Sequence, residues 1–226
     1  MTQKPSQGPL PRAFSSSRLP ETIPLFPLPN AIVLPGGQLP LNIFEPRYLR
    51  MVDDALGGAR LIGMIQPTHE GSGAYPELFS VGCAGRITSF VETGDGRYLI
   101  TLTGTRRFRI SSEISTDTPY RIAEADWSAF EMDAHPDPTA DDVDREQFLL
   151  IMQDYLDAEG LQTDWEEADN ASIDALVVSL AMGCPFAPNE KQALLEAPTI
   201  ADRAVCLMAL MEMSGGDEPD GDQMLQ

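Results

Sequence analysis

Hydrolytic or acyl-transfer chemistry needs a nucleophile and a base within hydrogen-bond reach of each other, and this chain of 226 residues offers few of either. It contains two lysines, Lys4 and Lys191. A serine-lysine dyad would have to use Lys191, which falls in NEKQALLE, a charged amphipathic helix start where the side chain is expected in solvent. Ser179, the nearest upstream serine, belongs to a different predicted helix. Neither lysine follows a glycine loop of the G-x4-G-K-[ST] kind, since MTQ precedes one and PNE the other. A triad would need a histidine base, and the two histidines, His69 in PTHEGSGAYPE and His135 in DAHPDP, sit in loops poorly suited to holding an imidazole in one tautomer. The residue chemistry therefore argues against an enzyme.

Metal chemistry fares no better. Cys83, Cys184 and Cys206 stand far apart, with no C-x-x-C and no paired histidines, so the spacing of a structural zinc site is missing and neither metal nor cofactor is expected. Cys83 in a predicted strand and Cys206 on the apolar side of a predicted helix read as small buried hydrophobes. Cys184 stays open between packing and an oxidation-sensitive switch. An odd cysteine count, a polar start and no apolar run near the roughly 18 to 20 residues of a membrane span lead to the expectation of a cytoplasmic protein away from membranes.

Charge divides the chain. Residues 1–122 carry 12 basic and 10 acidic side chains, net +2, whereas residues 123–226 carry 3 basic and 25 acidic, net −22. A total of −20 repels phosphate at long range, and nucleic-acid affinity comes mainly from neutralised phosphates. Arg86, Arg97, Arg106, Arg107 and Arg109 leave an RNA-binding alternative, but alternating Arg107 and Arg109 read most simply as the wet side of a strand. The acidic half could favour basic clients or dock a basic partner surface; the plainer reading is a solubilising face.

The elements that would position any site begin with IPLFPLPNAIVLPGGQLPLNIFEPRYLRMVDDAL, from Ile23 to Leu56. Pro24, Pro27 and Pro29 lack amide donors, so the first strand is expected at a sheet edge or with interruptions. Pro35-Gly36-Gly37 reverses the chain, and Leu39, Leu41 and Ile43 then alternate with Pro40 and Asn42 as a strand with one face on a core. Glu45-Pro46 reads as a helix start, proline at the first helical position and a carboxylate at the positive end of the dipole.

This block resembles the opening of the Lon N-terminal, or substrate-binding, domain family: Phe26, Pro27, Leu28, Pro29, Pro35, Gly36, Leu39, Pro40, Leu41, Ile43, Phe44, Glu45, Pro46, Arg47 and Tyr48 all fall where that family's pattern wants them. The resemblance continues through Val81-Gly82, Gly85-Arg86-Ile87, GRYLITLTGTRRFRI and EKQALLE, and covers most of residues 20–213. Cys83 stands where the family more often has threonine. In the full protease this domain precedes ATPase and serine-lysine protease modules, for which a chain this size has no room. The resemblance implies a protein-binding module for unfolded or exposed polypeptide, working without ATP as an adaptor or holdase in protein quality control, with polypeptide clients or a protein partner. A hydrolase or peptidase survives only as an inherited family label. Pro27, Pro29, Pro35, Gly36, Glu45, Pro46 and Arg47 are expected to define the fold. Phe26, Val33 and Leu34, exposed by the interrupted strands, with Tyr48 beside them, are the candidate peptide contacts, next to an unpaired strand edge.

The remaining pattern gives an α+β fold. Phe79 to Glu92, Arg97 to Thr103, Arg107 to Ile114 and Tyr120 to Trp127 are strand-like, with a glycine hairpin turn at Gly94-Asp95-Gly96. Together with the resemblance they imply a PUA-like β pseudo-barrel over 20–127. Residues 128–142, rich in proline and aspartate, read as a solvated linker. The period then switches to helical over 143–213: Phe148, Ile151, Met152, Tyr155 and Leu156 end at Gly160; Ile173, Leu176, Val177 and Leu180 end at Gly183; a short helix follows from Pro188 to Glu196; and Thr199 caps a last one. A disordered arm over 1–19 and a disordered acidic tail over 214–226 complete the expected organisation.

Overall fold

The computed structural model describes residues 19–68 and 76–215. The arm before Leu19, His69 and the tail beyond Gly215 lie outside the described residues; Ser214 and Gly215, expected in that tail, belong to the last helix.

Six strands and one helix make the first region: β1 (Thr22–Pro27), β2 (Gln38–Ile43), α1 (Pro46–Leu56), β3 (Leu61–Ile65), β4 (Val81–Glu92), β5 (Tyr98–Ile114) and β6 (Arg121–Asp126). Their order is β2-β5-β4-β3-β1-β6, and a further pairing of β5 with β6 closes five of them into a ring. This is an α+β pseudo-barrel, as expected. The runs expected as two strands, Arg97 to Thr103 and Arg107 to Ile114, form one strand of 17 residues. A bulge absorbs the change of phase between them: Ala84 pairs with Arg106 and Gly85 with Gly104, leaving Thr105 as the extra residue. β3, LIGMI, went unnoticed because all five residues are buried and no alternation marks it.

Of the two forms expected for β1, an edge strand or an interrupted one, it takes the second. It lies between β3 and β6 rather than at an edge. Thr22 to Leu25 pair with β6 and Leu25 to Pro27 with β3, so only Leu25 has register partners on both sides and the prolines fall in singly paired stretches. The turn at Pro35 is as read: Gly37 N–H donates to Leu34 O at 2.9 Å, with Gly36 at φ 81°, a conformation that costs glycine nothing. Gly104 is required for a different reason, because a Cβ there would run into the Leu34 carbonyl.

The helical region comprises α2 (Arg145–Ala158), α3 (Trp165–Asn170), α4 (Ile173–Gly183), α5 (Pro188–Glu196) and α6 (Ile200–Gly215). Thr199 caps α6, its hydroxyl accepting from Asp202 N–H at 3.1 Å. One apolar cluster, including Leu25, Phe108 and Ala123, draws on all the ring strands. A larger one runs without interruption from Phe26, Met64 and Leu102 through Tyr48 and Met51 of α1 into Phe148, Val177, Leu194 and Leu207 of the helices.

The stretch expected as a solvated linker is largely exposed yet is not loose chain. It forms 3₁₀ helices over Ser128–Ala134 and Pro138–Asp142. Asp133 leaves it to meet Arg107 at 2.7 Å, both side chains only 6% exposed. Arg107 is therefore buried, not on the wet side of its strand, and it also donates to Leu195 O at 3.1 Å, Ala197 O at 2.6 Å and Pro198 O at 3.1 Å. Arg203 donates to Leu194 O at 2.8 Å and Ala197 O at 3.0 Å. Two guanidinium groups thus satisfy carbonyls left unpaired where α5 ends, at the negative end of its dipole. Gln192, on the same helix, donates to Val81 O of β4 at 3.0 Å. Barrel and bundle are joined by satisfied polar groups as well as by packing.

Candidate functional site

The four expected peptide contacts are core residues. Val33 and Leu34 are fully buried, and Phe26 and Tyr48 nearly so. Phe26 packs on Tyr48 with ring centroids 4.4 Å apart, and the Arg47 guanidinium lies 4.5 Å over the Tyr48 ring. Arg47 also pairs with Glu45 at 2.9 Å, which fixes the start of α1. The expected exposure fails for a tertiary reason: the irregular chain ahead of Pro35 passes under the bundle, where Gly37 meets Met182 and Val178 of α4.

The residues that could have done chemistry are likewise absorbed by the fold. Lys191 is buried, not solvated, and its Nζ donates to Met182 O at 2.8 Å near the end of α4. Burial pushes its pKa down, opposed by the neighbouring Cys184. Ser179 lies exposed on α4. Burial raises the Cys83 thiol to about 12, so it stays protonated and unreactive. Cys184 is buried and also raised, chiefly by burial, against the lowering effect of the Tyr155 hydroxyl and Lys191. His135 is exposed between the two 3₁₀ helices. Among the described residues no group of three or more His, Cys, Asp or Glu could hold a metal ion.

What the barrel does present is an open edge with apolar side chains beside it. Among the described residues β2 pairs with β5 alone, Gln38 with Thr103 through Ile43 with Tyr98. Gly104 N–H donates to Gly37 O at 2.8 Å. Antiparallel alternation from that bond turns the backbone of Leu39, Leu41 and Ile43 toward β5 and leaves Gln38, Pro40 and Asn42 facing outward. Pro40 thus sits where its missing N–H breaks no ladder bond. Next to this edge, Leu99 lies opposite both Asn42 and Val91. Leu99 is 45% exposed, Val91 54% and Phe44, at the end of β2, 61%. Phe90, also exposed, packs edge-on against Tyr98 at 4.9 Å, and Arg97 lies 5.8 Å over the Phe44 ring.

Sequence reading missed this surface, although a signal was there. Phe90-Val91 and Leu99-Ile100 are adjacent apolar pairs either side of a hairpin turn; neighbours in a strand point to opposite faces, so each pair puts one apolar side chain outside. Burying such a side chain fully is worth about 1.5–3 kcal/mol, and Phe90, Leu99, Val91 and Phe44, each roughly half exposed, forgo about half of it apiece.

A smaller cavity of about 260 Å³ opens between β1, β6 and α1, lined by Pro24, Ile23, Leu61 and Ile122 with Asp54 and Tyr120 at its polar side. The Tyr120 hydroxyl donates to Asp54 at 2.8 Å. Hydrogen bonds from Arg50 and Tyr120 hold the Asp54 carboxyl below its usual range.

The comparisons with known proteins place this fold in a family. The family model for the ATP-dependent protease La (LON) substrate-binding domain matches residues 22–213. The chain belongs to that family. Lon protease 2 of Sorangium cellulosum is 34% identical over 128 residues, which are 50% of this chain and 15% of that protein. Lon protease of Cytophaga hutchinsonii is 26% identical over 209 residues, 88% of this chain and 25% of that protein. The chain thus spans a quarter or less of these relatives. Among solved structures, a Lon N-terminal domain protein from Xanthomonas campestris superposes with a TM-score of 0.60 at 26% identity, over 83% of this chain and 97% of that one. The N-terminal domain of Mycobacterium avium complex Lon protease shares the fold, with a TM-score of 0.57 at 17% identity over 84% of this chain and 98% of that one.

Proposed function

We propose that this protein binds extended, apolar segments of unfolded or exposed polypeptide along β2 and the adjoining outer face of β4 and β5. It acts as a non-catalytic, ATP-independent adaptor or holdase in protein quality control. The observation that carries the reading is the coincidence of an open strand edge with exposed Phe44, Val91 and Leu99. A bound segment would accept hydrogen bonds from the outward N–H groups of Gln38 and Asn42 and donate to the carbonyls of Gln38, Pro40 and Asn42, while its alternate side chains cover the apolar strip. Pro40 limits the edge to two donors, which deters unlimited edge-to-edge pairing. A cytoplasmic setting suits the free thiols of Cys83, Cys184 and Cys206, and no described helix is long and apolar enough to cross a membrane.

The arginines favour polypeptide over RNA. Arg107 is buried, Arg86 donates to Ala59 O, Arg106 to Glu131 O and Arg109 to Ser80 Oγ, and Arg97 pairs with Asp95. Each has an acceptor on the protein, and Arg97 and Arg107 face a carboxylate, but it is chiefly the net charge of −20 that opposes RNA. The test is fluorescence anisotropy of a labelled, permanently unfolded polypeptide titrated with the protein, with single-stranded RNA of similar size as competitor. Saturable binding that RNA does not displace, weakened roughly tenfold in Leu99→Asp, is expected. Displacement by RNA, or no binding, overturns the reading.

A further inference from the structure

The second large exposed apolar surface belongs to the helices. α2 is more apolar than one face requires: Phe148, Met152, Tyr155 and Leu156 are buried, Leu149 is partly buried at the border of that face, and Leu150 lies on the other side, in solvent. Leu149, Leu150 and Gln153, with Glu146, line a groove of about 520 Å³ whose far wall is Trp165 and Asp169 of α3. Positions 146, 149, 150 and 153 follow helical spacing, as do 165 and 169, so each wall is one face of one helix. Leu150 is 63% exposed and Trp165 38%. Arg145 holds the walls together, its Nη2 donating to Ala168 O and Asp169 O at 2.9 Å each.

The surroundings are acidic. Residues 141–174 carry twelve acidic side chains and one basic, and the basic one is Arg145, whose guanidinium is engaged on those carbonyls. An acidic segment has no favourable approach to such a groove, and an apolar one lacking charge gains nothing from its rim. We propose that the α2–α3 groove is a second docking site, for a cationic amphipathic polypeptide segment that seats apolar side chains between Leu150 and Trp165 and sets lysine or arginine against Glu146 and Asp169. An aromatic-aliphatic centre inside a charged rim is the arrangement in which a few anchors dominate binding. The site is on a different element from the β2 edge and does not depend on the reading given for it.

The probe is an amphipathic peptide of lysine and leucine, compared with a glutamate-leucine peptide of the same pattern and a lysine-serine peptide without apolar anchors. Trp165 emission is followed in the full-length Trp127→Phe variant; labelled-peptide anisotropy on the unsubstituted chain repeats the measurement without that change. Expected are a saturable blue shift of Trp165 with the lysine-leucine peptide alone, affinity falling with added salt, and a loss of roughly tenfold or more in Leu150→Ser and in Glu146→Lys. Leu99→Asp leaves this binding unchanged even if it abolishes binding at β2, which separates the two sites. Equal binding of the glutamate-leucine or lysine-serine peptide, a silent Trp165, or full affinity in Leu150→Ser with native circular dichroism overturns the proposal.

Discussion

The two halves of β5 invert the usual placement of charge and hydrocarbon. Its second half sets Arg107 in a dry interface against Asp133 and the carbonyls ending α5, where apolar packing would have been the ordinary choice. Its first half leaves Leu99 in water beside the open edge of β2, with Val91 across the pairing, where polar residues would have been ordinary. The difference teaches where each half spends its stability. A buried guanidinium bonded to Asp133 of the 3₁₀ segment and to the carbonyls of Leu195, Ala197 and Pro198 ties barrel, 3₁₀ segment and bundle together. Exposed hydrocarbon fixes nothing and is available to a partner.

The strongest way to break the comparison is at Arg107. Removing its counter-ion in Asp133→Ala strands a buried charge and is expected to cost about 3–5 kcal/mol, read as a lower urea midpoint. Replacing both partners, Arg107→Met with Asp133→Leu, should recover only part of that loss, because the Leu195 and Pro198 carbonyls and the backbone N–H of residue 107 then lose their partners. Full recovery with an unchanged near-ultraviolet spectrum would show that the ion pair adds no conformational specificity. On the open half the expectation is reversed. Leu99→Asp and Val91→Asp should leave stability within about 0.5 kcal/mol while weakening binding of an unfolded polypeptide roughly tenfold; a large stability loss would mean this face is covered core.

A smaller effect sharpens the closed side through pH. Asp137 accepts from Ile200 N–H at 2.8 Å and from Thr139, tying the second 3₁₀ helix to α6. Burial raises its carboxyl, but these hydrogen bonds outweigh burial and hold it below its usual range. A carboxyl depressed on folding stabilises the fold above its unfolded pKa of about 3.9, and that contribution is lost as pH falls through the lower folded value. Stability measured from pH 5 downward should therefore fall less steeply in Asp137→Asn than in the parent. The smallest effect leaves stability untouched: Cys206, half-buried, should react with iodoacetamide before Cys184, and Cys83, fully buried with its thiol near 12, last. Mass spectrometry gives the order, and early modification of Cys83 would show that the barrel opens.

Most of the fold was legible because it is written in local signals. Pro35-Gly36, Glu45-Pro46, the glycine hairpin and the helical period from Phe148 onward each state a backbone conformation through residue type and spacing. β3 was not legible, since a strand buried on both faces shows no alternation. Nor was the site. Prolines interrupt the neighbourhood of Val33 and Leu34, which reads as exposure, but interruption says nothing about what lies above, and both are fully buried.

The sequence by itself determined most of the elements, the turns at Pro35 and Gly94, the family resemblance and the lack of a phosphate-loop motif, all properties carried by neighbours along the chain. Only the tertiary structure decided which side chains meet water. Lys191 and Arg107 look like surface residues until the carbonyls that satisfy them are found; those for Arg107 lie 88 to 91 residues further on. Leu99 looks like core until β2 is seen to have, among the described residues, no strand beyond it. Burial depends on what covers a face, and what covers a face comes from far along the chain, whereas periodicity reports only the face itself.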